Sequence, residues 1–375
     1  MNKASNNNKI KVASLFSGIG APEFAIKRLG IDHEIVFACD NGELDFTIPE
    51  EEIEDRLKNI SDVAERNLYL NSIVPKKKKN FVKESYLANH QLNEHDFHFN
   101  VRYFDATPYK GKVDLLVGGS PCQSFTLLGY QKGLEETRGT LFYDYARIIK
   151  EVEPKAFIYE NVQGLIKHDQ GRTWEVIKRV FESLGYSIHY KVLDSVNYGI
   201  PQKRRRIFVV GIKDPKYTFE FPNEVPLKFT MQDFLLENTP DGNFIAINGD
   251  INITHTTGTV PEKYFLSEKI LPGIMCEGTG GFSMKPEIDL KIARPLMSSM
   301  HKMHRAGEDN YVTTKGKIRR LAPRECLRLM GFTDDFKIVV SDTQMYKQAG
   351  NSMVVDVMKA LISSVLKSIG YEMES

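Results

Sequence analysis

The sequence predicts a doubly wound, Rossmann-like α/β domain joined to a smaller, loop-rich second domain. Three observations predict it. Short apolar runs alternate with amphipathic helical patterns as far as residue 212. A glycine turn separates the first apolar run from the first helix. Beyond about residue 214 the alternation stops, and glycines, prolines and threonines interrupt every pattern.

The first apolar run, residues 10–16, ends at SGIG and reads as a buried strand. APEFAIKRLG follows with helical spacing and is stopped by Gly30, and EIVFACD reads as a second buried strand. Later strands are predicted at 113–119, 155–162 and 206–212, with helices at LFYDYARIIKEV and TWEVIKRVFESLG among them. A last helical pattern, VVDVMKALISSVLKSI, lies beyond the loop-rich region. Residues 43–80 break the rhythm: the acidic, helix-prone EEEIEDRLKNISDVAERN precedes four lysines at 76–79, and the whole reads as a surface insertion. For the lysines a solvated loop is the simpler account and a DNA contact the other.

With 375 residues, 41% hydrophobic and 26% charged, the chain can bury one large core and a smaller one. The net charge of +1 says nothing about polyanions, so a nucleic-acid surface must come from local clusters of Lys and Arg. The four cysteines, Cys39, Cys122, Cys276 and Cys326, are far apart and show no CxxC or Cys/His spacing. That pattern disfavours a zinc site or a disulfide framework, and no metal is expected. Isolated thiols suit a reducing cytosol. The polar start lacks a signal-peptide core. No run approaches the ~18 apolar residues of a membrane span, so a cytoplasmic protein away from membranes is expected.

FSGIG at 16–20 lies between a strand and a helix, where glycines let the backbone approach a ligand closely. Asp40 closes the second strand about 20 residues on, placed to accept hydrogen bonds from ribose hydroxyls. Together they favour a nucleoside-bearing cofactor. A dinucleotide would call for GxGxxG; here the run is GIGAPE. The missing third glycine favours S-adenosylmethionine, which has no pyrophosphate to cradle. Asp105, in RYFDATP, is a candidate partner for the adenine amino group, with a turn or cap aspartate as the equal alternative.

Cys122 lies in GGSPCQSF directly after VDLLV, which places a thiol on a loop at the carboxyl end of a strand. A lone cysteine is more often a small core residue, but Pro, Gln and Ser neighbours at a strand exit suit a core poorly. KAFIYENV carries Glu160 and Asn161 at the end of another strand. A carboxylate there must be paired or have a raised pKa, as a general acid requires. IPQKRRRIFVV places Gln202, Arg204 and Arg206 where burial demands an anion or carbonyl oxygens. A structural salt bridge is the alternative for each arginine. Thiol, carboxylate and guanidinium at neighbouring strand ends make a coherent set for covalent catalysis.

In order along the chain, FSGIG, PCQSF, ENVQGL, QKRRRIFVVG, RRLAPRECLRLMGF and QAGNSMVV resemble the ordered blocks of the DNA (cytosine-5)-methyltransferase family, of the bacterial or phage restriction–modification type. The blocks run from residue 16 to about 358. The resemblance implies an S-adenosyl-L-methionine-dependent methyltransferase domain in residues 1–215, a target recognition domain in 216–339, and a segment 340–375 that returns to the first domain. It implies methyl transfer to carbon 5 of a cytosine flipped out of a specific sequence in double-stranded DNA. Cys122 would attack carbon 6, Glu160 would hold ring nitrogen 3 and the exocyclic amine, and Arg206 would hold the carbonyl oxygen. Arg204 and Gln202 would support the site, and Asn161 would orient the Pro121–Cys122 loop. Cofactor positions carry over to Phe16, Gly18, Ile19, Gly20, Asp40, Asn41, Asp105, Ala106, Pro121, Leu141, Asn351 and Ser352.

Residues 124–140, with three glycines, fit a mobile loop closing over the flipped base, with Gln123 and Leu128 as candidate DNA contacts. Sequence reading would fall to CEGTGGFSM and SSMHKMHRAGEDN, with His301, Lys302, His304 and Arg305 as candidates; ordinary solvated loop residues are the alternative. Two departures stand out. Ala322 in LAPRE replaces the family's usual hydroxyl residue, which could cap the helix begun by Pro323. The insertion at 43–80 is longer than the family needs. A transfer-RNA enzyme on the same scaffold and a silent DNA-binding relative are the alternatives, the second disfavoured by Cys122, Glu160 and Arg206 together. A monomer is expected, with any restriction endonuclease a genetic rather than a physical partner.

Overall fold

The computed structural model describes residues 9–121, 141–278 and 283–371. Apolar side chains at most positions of β1 (Ile10–Leu15) and β4 (Leu115–Gly118) suit strands covered on both faces, and both lie inside a seven-stranded sheet. Around them run β2 (His33–Cys39), β3 (Phe97–His98), β5 (Ala156–Val162), β6 (Ser187–Asp194) and β7 (Arg205–Ile212). The order is β3-β2-β1-β4-β5-β7-β6. The first five strands pair in parallel, while β7 is antiparallel to both β5 and β6.

The predicted strands and helices form at nearly their expected bounds. Strand β6 lies outside the expected strands: it is an edge strand that lacks the continuous apolar run of the central strands and shows only the short alternation Ile188, Tyr190 and Val192. So does β3 lie outside them, being two residues long.

The helices are α1 (Ala21–Arg28), α2 (Glu50–Lys58), α3 (Val63–Ser72), α4 (Phe81–Asn89), α5 (Leu141–Val152) and α6 (Arg172–Ser183). They continue with α7 (Leu271–Ile274), α8 (Pro323–Leu329), α9 (Asp342–Asn351) and α10 (Val355–Ser368). Alternate residues of β1 feed two cores. Ile10 and Val12 pack with α1 and α10, and Ala13 and Leu15 with α5 and α6. Full burial of side chains the size of Ile10, Val12 and Leu15 stabilises by roughly 1.5–3 kcal/mol each. Phe234, Phe244, Val312 and Leu327 belong to the first of these cores.

Helix α10 packs on α1. Arg28 and Asp356 form a buried ion pair at 2.8 Å, and Arg28 also donates to the Gly331 carbonyl at 2.9 Å. The insertion carries α2 and α3, packed on a small core of Ile53, Leu57 and Leu70, with the lysines exposed in the turn before α4. The later region holds two short hairpins, β8 (Phe244–Ile247) with β9 (Asp250–Ile253) and β10 (Tyr311–Thr314) with β11 (Lys317–Arg320).

Ala322 stands at the N-cap of α8 with no side-chain acceptor, so only the reciprocal arm of a capping box forms: Glu325 Oε2 accepts from the Ala322 amide at 2.6 Å. The same carboxylate takes both Nη groups of fully buried Arg319 at 2.8 Å. Glu237 accepts a further bond from Arg319. Among the described residues no single helix is long and apolar enough to cross a membrane.

Candidate active site

Because β2, β1, β4 and β5 are parallel, their carboxyl ends share one edge of the sheet, and antiparallel β7 brings its amino end there. Ligands of open α/β sheets gather at such an edge. Val162 pairs with Arg206 in register, and this sets Arg206 beside the Glu160 carboxylate, with Nε 3.1 Å from Oε1. Their side chains keep 23% and 16% exposure, so the pair is sheltered but reachable. Burial raises the Glu160 pKa, and the charges of Arg206 and then Arg204 pull it part of the way back.

Asn161 points to the opposite face from Glu160 and is buried. Its Nδ2 donates to the Ser120 carbonyl and to the Tyr159 hydroxyl, both at 2.9 Å, while the Ser120 and Tyr159 hydroxyls meet at 2.8 Å. The exit of β4 is thereby fastened to the end of β5. Gly119 allows the closeness: a Cβ there would lie 2.5 Å from the Glu160 carbonyl oxygen. Pro121 follows, exposed. Cys122, Gln123 and Leu128 lie outside the described residues, as does part of the 276–284 glycine cluster.

Arg204 and Gln202 are buried ties. Arg204 donates to the carbonyls of Leu296, Gly350 and Ser352 at 2.9–3.0 Å. Burial, and then Arg206, push its pKa down to about 9, although the basicity of guanidinium keeps it charged at neutral pH. Gln202 donates to the Leu329 carbonyl at 2.7 Å and accepts from the Leu296 amide at 2.8 Å. Both hold distant segments against the start of β7.

On the cofactor side, Phe16, Gly18 and Gly20 adopt φ of 52°, 53° and 77°. A Cβ at Gly20 would lie 2.2 Å from His90 Nε2, which is 2.9 Å from the buried Ile19 carbonyl. Burial lowers the His90 pKa, so a neutral ring donates this bond. Asp40 accepts from the Gly18 amide at 2.9 Å and the Gly42 amide at 2.8 Å, and burial raises its pKa. The Ser17 hydroxyl, buried in the same loop, makes no hydrogen bond among the described residues.

Asn41 closes its own turn, donating to the Leu44 carbonyl at 2.9 Å. Asp105 also serves a local turn, accepting the Thr107 amide and hydroxyl at 3.0 and 2.6 Å. Ala106 is buried, its amide donating to Glu151 at 2.9 Å, and half-buried Leu141 begins α5. Asn351 is exposed and Ser352 buried at the end of α9.

Of the candidate DNA contacts, Lys302 is exposed and His301 and Arg305 are half-buried. His304 is held in place, its amide donating to Asp309 at 2.7 Å and its Nε2 lying 3.1 Å from the Ser299 hydroxyl.

The sequence reading missed Ser120, Tyr159 and Asn80. A tyrosine inside a buried strand was a usable signal, since its hydroxyl needs a partner. The N-cap position of Asn80 was a weaker one.

The chain matches the C-5 cytosine-specific DNA methylase family over residues 10–367. It is 36% identical to type II methyltransferase M.HhaI of Haemophilus parahaemolyticus over 263 residues, 69% of this chain and 77% of that one. Type II methyltransferase M.NgoBI of Neisseria gonorrhoeae is 36% identical over 261 residues, 66% of this chain and 72% of its own. Among solved structures, the S. pombe Dnmt2 methyltransferase shares the fold with a TM-score of 0.67, over 96% of this chain and 100% of that one, at 19% identity. With the match running along nearly the whole chain and the fold in agreement, the chain belongs to the C-5 cytosine-specific DNA methylase family and is a DNA (cytosine-5)-methyltransferase.

Proposed function

We propose that this enzyme methylates carbon 5 of a cytosine flipped out of a specific duplex sequence, through a covalent Cys122 adduct, as the modifying half of a restriction–modification system. The observation that carries the reading is the Glu160–Arg206 pair, at the sheet edge where the Ser120–Pro121 exit leads into Cys122. Flipping costs a few kcal/mol, returned by contacts in the pocket.

S-adenosyl-L-methionine, when bound, supplies a methyl group activated on a sulfonium. The glycine loop fits it: Asp40 retains lone pairs beyond its two amide bonds, and the buried Ser17 hydroxyl is unspent. Phe16, Ile19, Asn41, Asp105, Ala106, Pro121, Leu141, Asn351 and Ser352 would complete the pocket.

The Cys122 thiolate bonds to carbon 6 of the cytosine, and the C5–C6 electron pair is released into the ring. Glu160 gives its proton toward ring nitrogen 3, and Arg206 holds the oxygen at position 2, so charge does not accumulate. Carbon 5, now nucleophilic, would take the methyl group as its bond to the sulfonium sulfur breaks, leaving S-adenosylhomocysteine, and ring nitrogen 3 would return its proton to Glu160. Transfer of the carbon-5 proton to a water molecule and departure of the Cys122 thiolate would restore the aromatic ring. Arg204, Gln202 and Asn161 keep the strand ends in register for these steps.

In this reading residues 1–215 form the catalytic domain, 216–339 the target recognition domain, and 340–375 the returning segment. His301, Lys302, His304 and Arg305, with Gln123 and Leu128, would meet DNA. The protein works as a cytoplasmic monomer, with any cognate endonuclease acting separately on unmethylated sites.

Replacing Cys122 with Ala should abolish methyl transfer to duplex DNA and keep cofactor and DNA binding. A duplex carrying 5-fluorocytosine should trap an adduct on Cys122, because fluorine cannot leave as the proton does. Retained turnover without Cys122, or transfer to transfer RNA in preference to duplex DNA, would overturn the proposal.

A further inference from the structure

The chain leaves the cofactor-side turn at Gly42 and comes back to it at Asn80. Between them lies an excursion with its own small core and a neck where the Thr47 amide and hydroxyl both donate to the Ile73 carbonyl, at 3.1 and 2.9 Å. Where the excursion ends, one side chain makes two bonds. Asn80 Oδ1 accepts the Lys83 amide at 2.9 Å and so caps α4. Asn80 Nδ2 donates to the Asp40 carbonyl at 3.0 Å. The carboxamide carries its acceptor and its donor on separate atoms, so each can face a different segment. The approach is close: a Cβ at Gly42, where φ is +61°, would lie 2.2 Å from Asn80 Oδ1.

The helix that Asn80 caps is anchored on the other cofactor-side segments too. The Tyr86 hydroxyl donates to Glu23 at 2.8 Å, just after the glycine loop. His90 meets the Ile19 carbonyl at 2.9 Å, and the Ser85 hydroxyl donates to Gln348, in the QAGNS segment, at 2.7 Å. Asn80 supplies the remaining link, to the turn that carries Asp40.

We propose that Asn80 is a positioning residue for S-adenosylmethionine: it ties the end of the excursion to the Asp40 carbonyl and so holds the Asp40 carboxylate in the orientation that meets the ribose. The inference rests on the reading of Asp40 as a cofactor ligand. Without the tie, the turn between Asp40 and Gly42 is free to relax under a long inserted loop.

Asn80→Ser separates the two roles, since serine caps a helix about as well but its side chain ends short of the Asp40 carbonyl. Titration calorimetry of the full chain without DNA, using S-adenosylmethionine and S-adenosylhomocysteine, is expected to show a roughly three- to tenfold rise in Kd, the worth of one hydrogen bond. Melting temperature and DNA affinity should stay at the parent values. Asp40→Asn is measured in parallel. If Asp40→Asn weakens binding and Asn80→Ser does not, the inference is overturned and the cofactor reading stands. If neither weakens binding, the cofactor reading falls and takes the inference with it. A joint fall of cofactor affinity, DNA affinity and melting temperature in Asn80→Ser would assign Asn80 to folding alone, which also overturns it.

Discussion

Arg206 Nε stands 3.1 Å from Glu160 Oε1 across the seam between β5 and β7, and the antiparallel register of those strands sets that distance. The pairing restores part of the acidity that burial takes from this carboxyl group.

A pH dependence follows. Burial puts the folded-state pKa of Glu160 above the unfolded value, even after the opposing pull of Arg206 and Arg204. The contribution of protonated Glu160 to stability is complete below the unfolded pKa of roughly 4.3 and is lost as pH rises through the folded value. The same proton is the one proposed for the cytosine ring, so kcat should fall on the alkaline side of that folded value. Arg206→Met removes the nearest cation, raises the Glu160 pKa further and should move the falling limb to higher pH. Glu160→Gln should remove the limb and lower kcat by about 10²-fold or more. Profiles of kcat against pH for the three proteins check this; a limb unmoved by Arg206→Met would detach it from Glu160.

The Ser120–Tyr159 hydroxyl pair should matter for turnover more than for binding. Tyr159→Phe keeps the ring but leaves Ser120 and Asn161 short of a buried partner, at a cost of roughly 1–3 kcal/mol. Because these groups fasten the exit that leads to Cys122, kcat is expected to drop about tenfold, which is ~1.4 kcal/mol, with KM for the cofactor near the parent value. Steady-state kinetics decide it: equal losses in both constants would mean general loosening.

The buried Arg319–Glu325 pair carries stability away from the chemistry. Arg319→Met strips Glu325 and Glu237 of their cation and should cost roughly 3–5 kcal/mol in denaturant unfolding. Ala322→Ser acts in the opposite direction. It supplies the missing acceptor at the N-cap of α8 and should gain about 1 kcal/mol. A lower denaturation midpoint in Ala322→Ser would show that the packed site has no room for the hydroxyl.

Lys302 is the exposed cation of its loop, whereas neighbouring His304 is bound to Asp309 and Ser299. If Lys302 meets a phosphate, Lys302→Ala should weaken binding to cognate and unrelated duplexes alike. The slope of log K against log salt should become shallower by about 0.9. A change in sequence preference with the slope intact would instead make it a base contact.

The strand–glycine turn–helix opening, the apolar strands and the positions of Glu160, Arg206 and Asp40 at strand ends were all legible in the sequence. Each depends on local periodicity and on residue types whose chemistry is plain where they stand. Strand β6 offers only the short alternation Ile188, Tyr190 and Val192 in place of a continuous apolar run, and the direction of β7 escaped because a run such as RIFVVGI reads alike in parallel and antiparallel sheets. Partnership was the larger gap. Arg204 reaches Leu296 and Ser352, 92 and 148 positions along the chain, and Asn80 reaches Asp40 across the whole insertion. The sequence by itself determined which groups must be satisfied, because burying a polar or charged group without a partner is costly. Only the tertiary structure decided which partner each one took, since that choice depends on packing among segments with no local signal to one another.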